Sequence, residues 1–140
     1  MAAQINNDVI CTESDLPEGN FITVAATYDK QLVMFYVNGK RVAAKTKRDG
    51  ININVEDVFV GRSDTGVNTN ALGGQIDWLV VYNRAISEND LRRHAEKGVL
   101  QDDLRPNSGV VLNMPFNSDF SDVLKHSVSP LGEPKLTEAR

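Results

Sequence analysis

The sequence has little that would cross-link the chain, carry it through a membrane or bind nucleic acid. Cys11 is its only cysteine, so no internal disulfide can form and cysteine use says nothing about the compartment. No apolar run approaches the ~20 residues that a membrane-spanning helix needs, so we expect no membrane insertion. The formal net charge is −4, with acidic and basic residues interspersed, and we therefore expect no nucleic-acid partner.

Catalytic patterns are also scarce. The two histidines, His94 and His126, fall in a predicted helix and a polar tail, and neither belongs to a recognisable Ser-His or Cys-His arrangement. A glycosidase would need two carboxylates flanking the scissile bond. Asp77 has no second acid in register, because Gln75 and Leu79 are its neighbours on the same strand face. We therefore predict that the protein is not an enzyme.

The chain is long enough for one folded domain. A length of 140 residues allows a real hydrophobic core. The amino terminus, MAAQINNDV, lacks the basic and apolar regions of a secretory signal. A removed signal, or an origin within a longer protein, stays open.

Short strands separated by turns dominate the first half of the sequence. FITVAATY (21–28) and QLVMFYV (31–37) are rich in β-branched and aromatic residues, which favours strands. Asn38-Gly39 follows, and this pair is the strongest short hairpin signal because both residues tolerate positive φ. Residues 40–45 complete the predicted hairpin. Further strands are predicted at 53–61 and 76–82.

One helix is expected between Ser87 and Gly98. Ser87 has the character of an N-cap, with Asp90 three residues later, and Gly98 ends the helical pattern. We expect His94 on this helix to face solvent. Many short strands with one short helix indicate an all-β sandwich or jelly roll.

Three motifs in order resemble a laminin G-like, concanavalin A-like jelly-roll domain. FITVAATYDKQLVMFYVNGKRVA looks like the hairpin of that family, VFVGRSDTG like the next strand and loop, and GGQIDWLVVYNRAISENDL like the closing strand and helix. The segment from Phe21 to Leu91 carries this resemblance, and it is similar to the carboxyl-terminal half of such a domain. It implies an antiparallel jelly-roll sandwich, concanavalin A-like, with one short α-helix.

The final third resembles the opening of the same kind of domain. GVVLNMPF and the residues after it are similar to the family's first strand. The predicted organisation is therefore 1–98 as the carboxyl-terminal-half-like part, 99–108 as a linker and 109–140 as an amino-terminal-like strand segment, packing on the same or a neighbouring sandwich. The family's middle strands have no counterpart, and only residues 1–12 offer a strand from that region.

Three explanations of this order stay open: a rearrangement, a segment across a domain boundary, or a sheet completed by another chain. Because unpaired strand edges associate, we expect a homo-oligomer or strand exchange with another chain.

The resemblance also implies a calcium site. In the family, an acid of the closing strand and an acid in the loop after the first strand help to form it, and Asp77 and Asp122 occupy these positions, with Asp119 nearby. Ca²⁺ takes 6–8 oxygen ligands, so Ca²⁺ is a candidate cofactor. The interpretation that we favour for Asp77 is a structural acid that accepts hydrogen bonds from the neighbouring loop.

Sugar binding is a common use of this family. The loop of residues 62–74 supplies four polar candidates for ligand binding, Arg62, Asp64, Asn68 and Asn70. It has no aromatic residue, and Trp78 is expected in the core or beneath a sugar. The expected function is a non-catalytic recognition module that binds glycan or protein, extracellular or at the cell surface. The alternative is a structural or assembly protein that oligomerises through its strand edges.

Overall fold

The computed structural model describes the chain in several separate segments. The described residues are 2–5, 8–11, 18–48, 50, 60–61, 72–99, 108–117, 119–125 and 127–128. Within them, no helix is long and apolar enough to cross a membrane. The chain divides into two compact units, which we call unit 1 (Met1–Ile53 with Tyr82–Gly109) and unit 2 (Asn54–Val81 with Val110–Arg140).

The described residues form seven strands and one helix. In chain order they are β1 Ala2–Ile5, β2 Asp8–Cys11, β3 Val24–Tyr28, β4 Leu32–Val37, β5 Lys40–Thr46, β6 Leu79–Tyr82, α1 Glu88–Lys97 and β7 Val110–Met114. The strand predicted at 53–61 lies almost wholly outside the described residues, and the strand predicted at 76–82 begins only at Leu79.

Two antiparallel sheets belong to unit 1. β1 and β2 pair with Ala2 opposite Cys11, so the first residues supply two strands where the sequence suggested one. The second sheet has the order β3-β4-β5. Its register places Val24 opposite Val37 and Leu32 opposite Thr46, which confirms the predicted hairpin.

The turn between β4 and β5 has the predicted chemistry. Asn38 and Gly39 have φ of 49° and 72°, as a two-residue hairpin turn with both φ positive requires. The Asn38 side chain also ties the turn to the start of β3, because Thr23 N donates to Asn38 Oδ1 at 2.9 Å. Asn38 therefore provides the positive φ that the turn requires and also hydrogen-bonds the turn to the residue before β3.

The turn between β3 and β4 is built around a carboxylate. Asp29 Oδ1 accepts hydrogen bonds from Gln31 N at 2.9 Å and Leu32 N at 2.7 Å. These backbone donors, Leu32 first, lower the pKa of Asp29 below its ordinary value, because they stabilise the ionised form. Lys30, which follows Asp29 in this turn, has a φ of 76°.

The described core of unit 1 is centred on β4. Val33 and Phe35 are buried, and Val24, Tyr28 and Ala43 pack against them. Tyr36 is also buried, although it points to the opposite face of the strand from Phe35. Side chains on both faces of β4 are therefore removed from water, as expected for the middle strand of a sheet.

Helix α1 begins and ends where the sequence predicted. Ser87 Oγ accepts from Asp90 N at 3.1 Å, and Gly98 N donates to His94 O at 2.9 Å. The prediction for His94 is wrong: it is buried together with Leu91, because residues three apart share one face of a helix. A Cβ on Gly39 would lie 2.5 Å from Arg92 Cα, so the β4–β5 turn requires glycine beneath the helix.

In unit 2, β6 pairs with β7. The apolar stretch at residues 109–116 thus forms a strand at Val110–Met114 and joins a sheet. Val81 and Val111, one on each strand, are exposed.

Candidate functional site

A cavity of about 200 Å³ lies in unit 1, beside the start of α1. We call it the α1 pocket. Its walls combine charged, aromatic, hydroxyl and aliphatic side chains, from Tyr82, Arg84, Ile86, Asp90, Arg93, His94 and Ser108.

The backbone before α1 is attached to the segment that carries Ser108. Asn83 N donates to Gly109 O at 2.8 Å, and Arg84 Nε donates to Ser108 O at 2.7 Å. Gly109 has a φ of 83°, in the left-handed region that favours glycine. These contacts bring the walls of the α1 pocket together from residues more than twenty positions apart.

Aromatic rings form one wall of the α1 pocket. Tyr82 and His94 are stacked, with ring centroids 6.4 Å apart and planes 17° apart. The guanidinium carbon of Arg84 lies 5.7 Å from the centroid of the Tyr82 ring, within the range of a cation–π interaction. The ring therefore helps to hold the Arg84 side chain in place.

Asp90 is the carboxylate of the α1 pocket, and it is held ionised. Ser87 Oγ donates to Asp90 Oδ2 at 2.7 Å, and Arg93 donates to Asp90 Oδ1 at 3.1 Å. The Ser87 hydrogen bond, followed by that of Arg93, lowers the pKa of Asp90 below its ordinary value. A carboxylate stabilised in this way accepts hydrogen bonds at neutral pH and does not donate a proton.

A buried polar network stabilises the described part of unit 2. Trp78 Nε1 donates to Asn113 Oδ1 at 2.6 Å, and Asn113 N donates to Asp122 Oδ1 at 2.7 Å. Val123 N in turn donates to Asn113 O at 2.9 Å. Asn113 and Asp122 are 4% and 3% exposed, so these hydrogen bonds are shielded from water.

The two predicted calcium ligands have different environments. Asp122 is buried and one of its oxygens accepts from the backbone, whereas Asp77 is exposed. The described residues contain no group of three or more His, Cys, Asp or Glu side chains that would hold a metal ion. The 6–8 oxygen ligands of Ca²⁺ include backbone and amide carbonyls and water as well as carboxylates. The calcium site stays a prediction.

The ligand-binding residues predicted in the loop 62–74 are not among the residues that the structure describes. Arg62, Asp64, Asn68 and Asn70 all lie outside the described residues, so their role stays a prediction. Trp78 is half-buried and hydrogen-bonded to Asn113.

Sequence reasoning missed the α1 pocket. Tyr82 and Arg84 stand in the YNRAIS motif, which indicated only a strand end and a helix start. The available signal was the Asp90–Arg93 spacing, which places an ion pair on one helix face. Nothing in the sequence indicated that Ser108 lies beside Arg84.

Comparison with known proteins identifies the family. Residues 2–92 match the family model described as the concanavalin A-like lectin/glucanases superfamily, of the laminin G-like type. The match spans more than half of the chain, and the protein therefore belongs to this family. It includes β1 and β2, which lie outside the motifs recognised in the sequence. The predicted all-β jelly-roll class, with one short helix, is confirmed.

A more distant similarity exists among solved structures. The crystal structure of residues 221–444 of an S-layer domain-containing protein from Clostridium thermocellum matches 63% of this chain, with 24% identity and a TM-score of 0.48. The match covers 45% of that structure, so the chain spans less than half of its length. No curated protein matches the chain.

Proposed function

We propose that the protein is a non-catalytic recognition module that binds glycan or protein at the cell exterior. The observation that carries this proposal is the α1 pocket, a small polar cavity in a domain of the lectin-containing family. Ligand sites are typically concave, with a few polar groups that fix orientation. The cell exterior is proposed because lectins read the glycans displayed there.

The ionisation of Asp90 supports binding over hydrolysis. A glycosidase needs a pair of carboxyl groups, one of them with a raised pKa so that it protonates the leaving group. Among the described residues that line the α1 pocket, Asp90 is the one carboxylate, and its pKa is lowered. The described lining therefore supplies neither a pair of carboxyl groups nor a proton-donating acid.

A glycan array probed with the full chain tests the proposal. We expect binding to a defined set of glycans, and we expect Arg84→Gln to reduce it, because Arg84 lines the α1 pocket. Arg92→Gln is the matched control, since Arg92 is an exposed arginine of the same region and is paired with Glu88 at 3.5 Å. Absence of any glycan or protein ligand would contradict the proposal.

Calcium support at Asp77 and Asp122 is a second part of the proposal. If Ca²⁺ binds the folded state, chelation lowers the thermal midpoint. The melting temperature should be measured with excess CaCl₂ and with EDTA, for the wild type and for Asp77→Ala. A wild type that is insensitive to EDTA would remove calcium from the proposal and leave the recognition function standing.

An assembly role is the second candidate function, favoured by the exposed valines of unit 2. Val81 and Val111 are 41% and 39% exposed on the paired strands β6 and β7. Exposed apolar strand edges associate readily. Under this alternative, light scattering at micromolar concentration gives an oligomer, and Val111→Lys gives a monomer. Val42→Lys, at an exposed valine of unit 1, is the control. A monomeric wild type would exclude the assembly role.

A further inference from the structure

We propose that the α1 pocket selects an acidic sugar, a terminal uronic acid, with Arg84 binding its carboxylate. This inference rests on the proposed function and names the class of glycan that the pocket accepts. It follows from how Arg84 is held, from the charge balance of the pocket, and from its size.

Arg84 presents a pre-positioned hydrogen-bonding fork. Its Nε is occupied by Ser108 O at 2.7 Å, and one face of its guanidinium lies against Tyr82. Both contacts leave the two terminal nitrogens available, and no described residue accepts from them. An arginine held by its Nε and by an aromatic ring loses little further freedom on binding a carboxylate with two parallel hydrogen bonds.

The charges of the α1 pocket leave Arg84 without a carboxylate partner among the described residues. Asp90 is engaged by Arg93 and Ser87, so its negative charge is already balanced. Arg84 therefore contributes a net positive charge in a chain whose formal net charge is −4. The carboxylate of a ligand would neutralise the positive charge of Arg84, whereas a neutral ligand would leave that charge unpaired.

The size and remaining polar groups favour a single sugar unit. A volume of about 200 Å³ is below the ~300–1,000 Å³ of sites for drug-sized ligands, so the pocket holds one ring and not an extended chain. An ionised carboxylate has about four acceptor positions, and Asp90 uses two of them for Ser87 and Arg93. Its remaining capacity suits hydroxyl donors, which a uronic acid carries and an acidic amino-acid side chain lacks.

Titration with monosaccharides tests this selectivity on the full chain. Glucuronate, glucose and acetate are added at constant ionic strength, and binding is followed by amide chemical shifts of residues 82–94. We expect glucuronate to bind more tightly than both glucose and acetate. Arg84→Gln should weaken glucuronate binding about tenfold or more, since charge-assisted hydrogen bonds are lost, and Arg92→Gln should leave it unchanged.

Arg84→Lys keeps the charge but removes the fork, so an intermediate affinity is expected. It also keeps the test decisive if Arg84→Gln does not fold, as judged by circular dichroism. Equal binding of glucose and glucuronate, equal binding of acetate and glucuronate, or no effect of Arg84 substitution would overturn the inference. Neutral glycans bound on the array with undiminished affinity by Arg84→Gln would overturn it too, while leaving the recognition function intact.

Discussion

In unit 1 the central strand β4 has side chains buried on both faces, whereas in unit 2 the strands β6 and β7 expose valines. The described core of unit 1 is apolar, centred on Val33 and Phe35. The described part of unit 2 instead has a hydrogen-bonded network through Asn113 and Asp122. Apolar burial is non-directional and tolerates repacking, while a buried polar network depends on each partner. The two units should therefore respond differently to substitution.

The largest effect is expected from breaking the apolar core of unit 1. Phe35→Ala removes a ring that is 2% exposed, and such truncations typically cost about 3–5 kcal/mol. Urea denaturation followed by circular dichroism measures the free energy of unfolding. Val42→Ala, at the exposed bulge of β5, is the control and should change it by less than about 0.5 kcal/mol. Similar effects of the two variants would contradict a core centred on β4.

The next effect is expected in the polar network of unit 2. Asp122→Ala leaves the buried Asn113 N–H without its acceptor, which costs about 1–3 kcal/mol. Because Trp78 is the only tryptophan and donates to Asn113, its fluorescence should shift in the same variant. Asp77→Ala is the control, since Asp77 is exposed, and should cost less than about 0.5 kcal/mol without calcium. An equal cost at Asp77 would support its predicted role as a structural acid.

A smaller effect is expected at the helix cap of unit 1. Ser87→Ala removes the acceptor of Asp90 N and should cost about 1 kcal/mol. The same substitution removes the donor to Asp90 Oδ2, so the pKa of Asp90 should rise toward its ordinary value. Carboxyl chemical shifts followed through a pH titration measure this. Ser87→Asn should keep most of the cap, and an unchanged Asp90 pKa in Ser87→Ala would show that Ser87 does not hydrogen-bond Asp90 in solution.

The smallest effect is expected on lowering the pH, which should reduce the free energy of unfolding through one carboxylate in each unit. Turn hydrogen bonds lower the pKa of Asp29 in unit 1, and the Ser121 side chain and backbone lower that of Asp119 in unit 2. A folded pKa below the unfolded value of about 3.9 gives stability that is present above pH ~4 and lost as pH falls through the folded pKa.

Asp29→Asn sharpens the acid prediction, because the amide oxygen still accepts from Gln31 N and Leu32 N but does not titrate. Its unfolding free energy should fall less than that of the wild type between pH 5 and pH 2. An identical acid response would show that Asp29 does not contribute.

Sequence reasoning was most successful where the signal was local. Asn38-Gly39 and the Ser87-to-Gly98 helix were correctly predicted, because turn and cap preferences depend on a few adjacent residues. The prediction that His94 faces solvent was wrong. Its neighbours Arg93 and Glu96 suggested a solvated face, and only the packing of α1 shows which face of the helix is covered. The α1 pocket was missed because Ser108 meets Arg84 through a backbone contact without a sequence pattern.

The sequence by itself determined the family, the strand-rich class, the tight turn and the capped helix, since each depends on short-range preferences or on motifs in a recognisable order. Only the tertiary structure decided which carboxylate is buried, which arginine faces a cavity and which histidine is covered. Asp77 and Asp122 are chemically the same residue, and so are Arg84 and Arg92. Their environments differ because different distant segments meet each member of a pair, and long-range packing leaves no mark on the adjacent sequence.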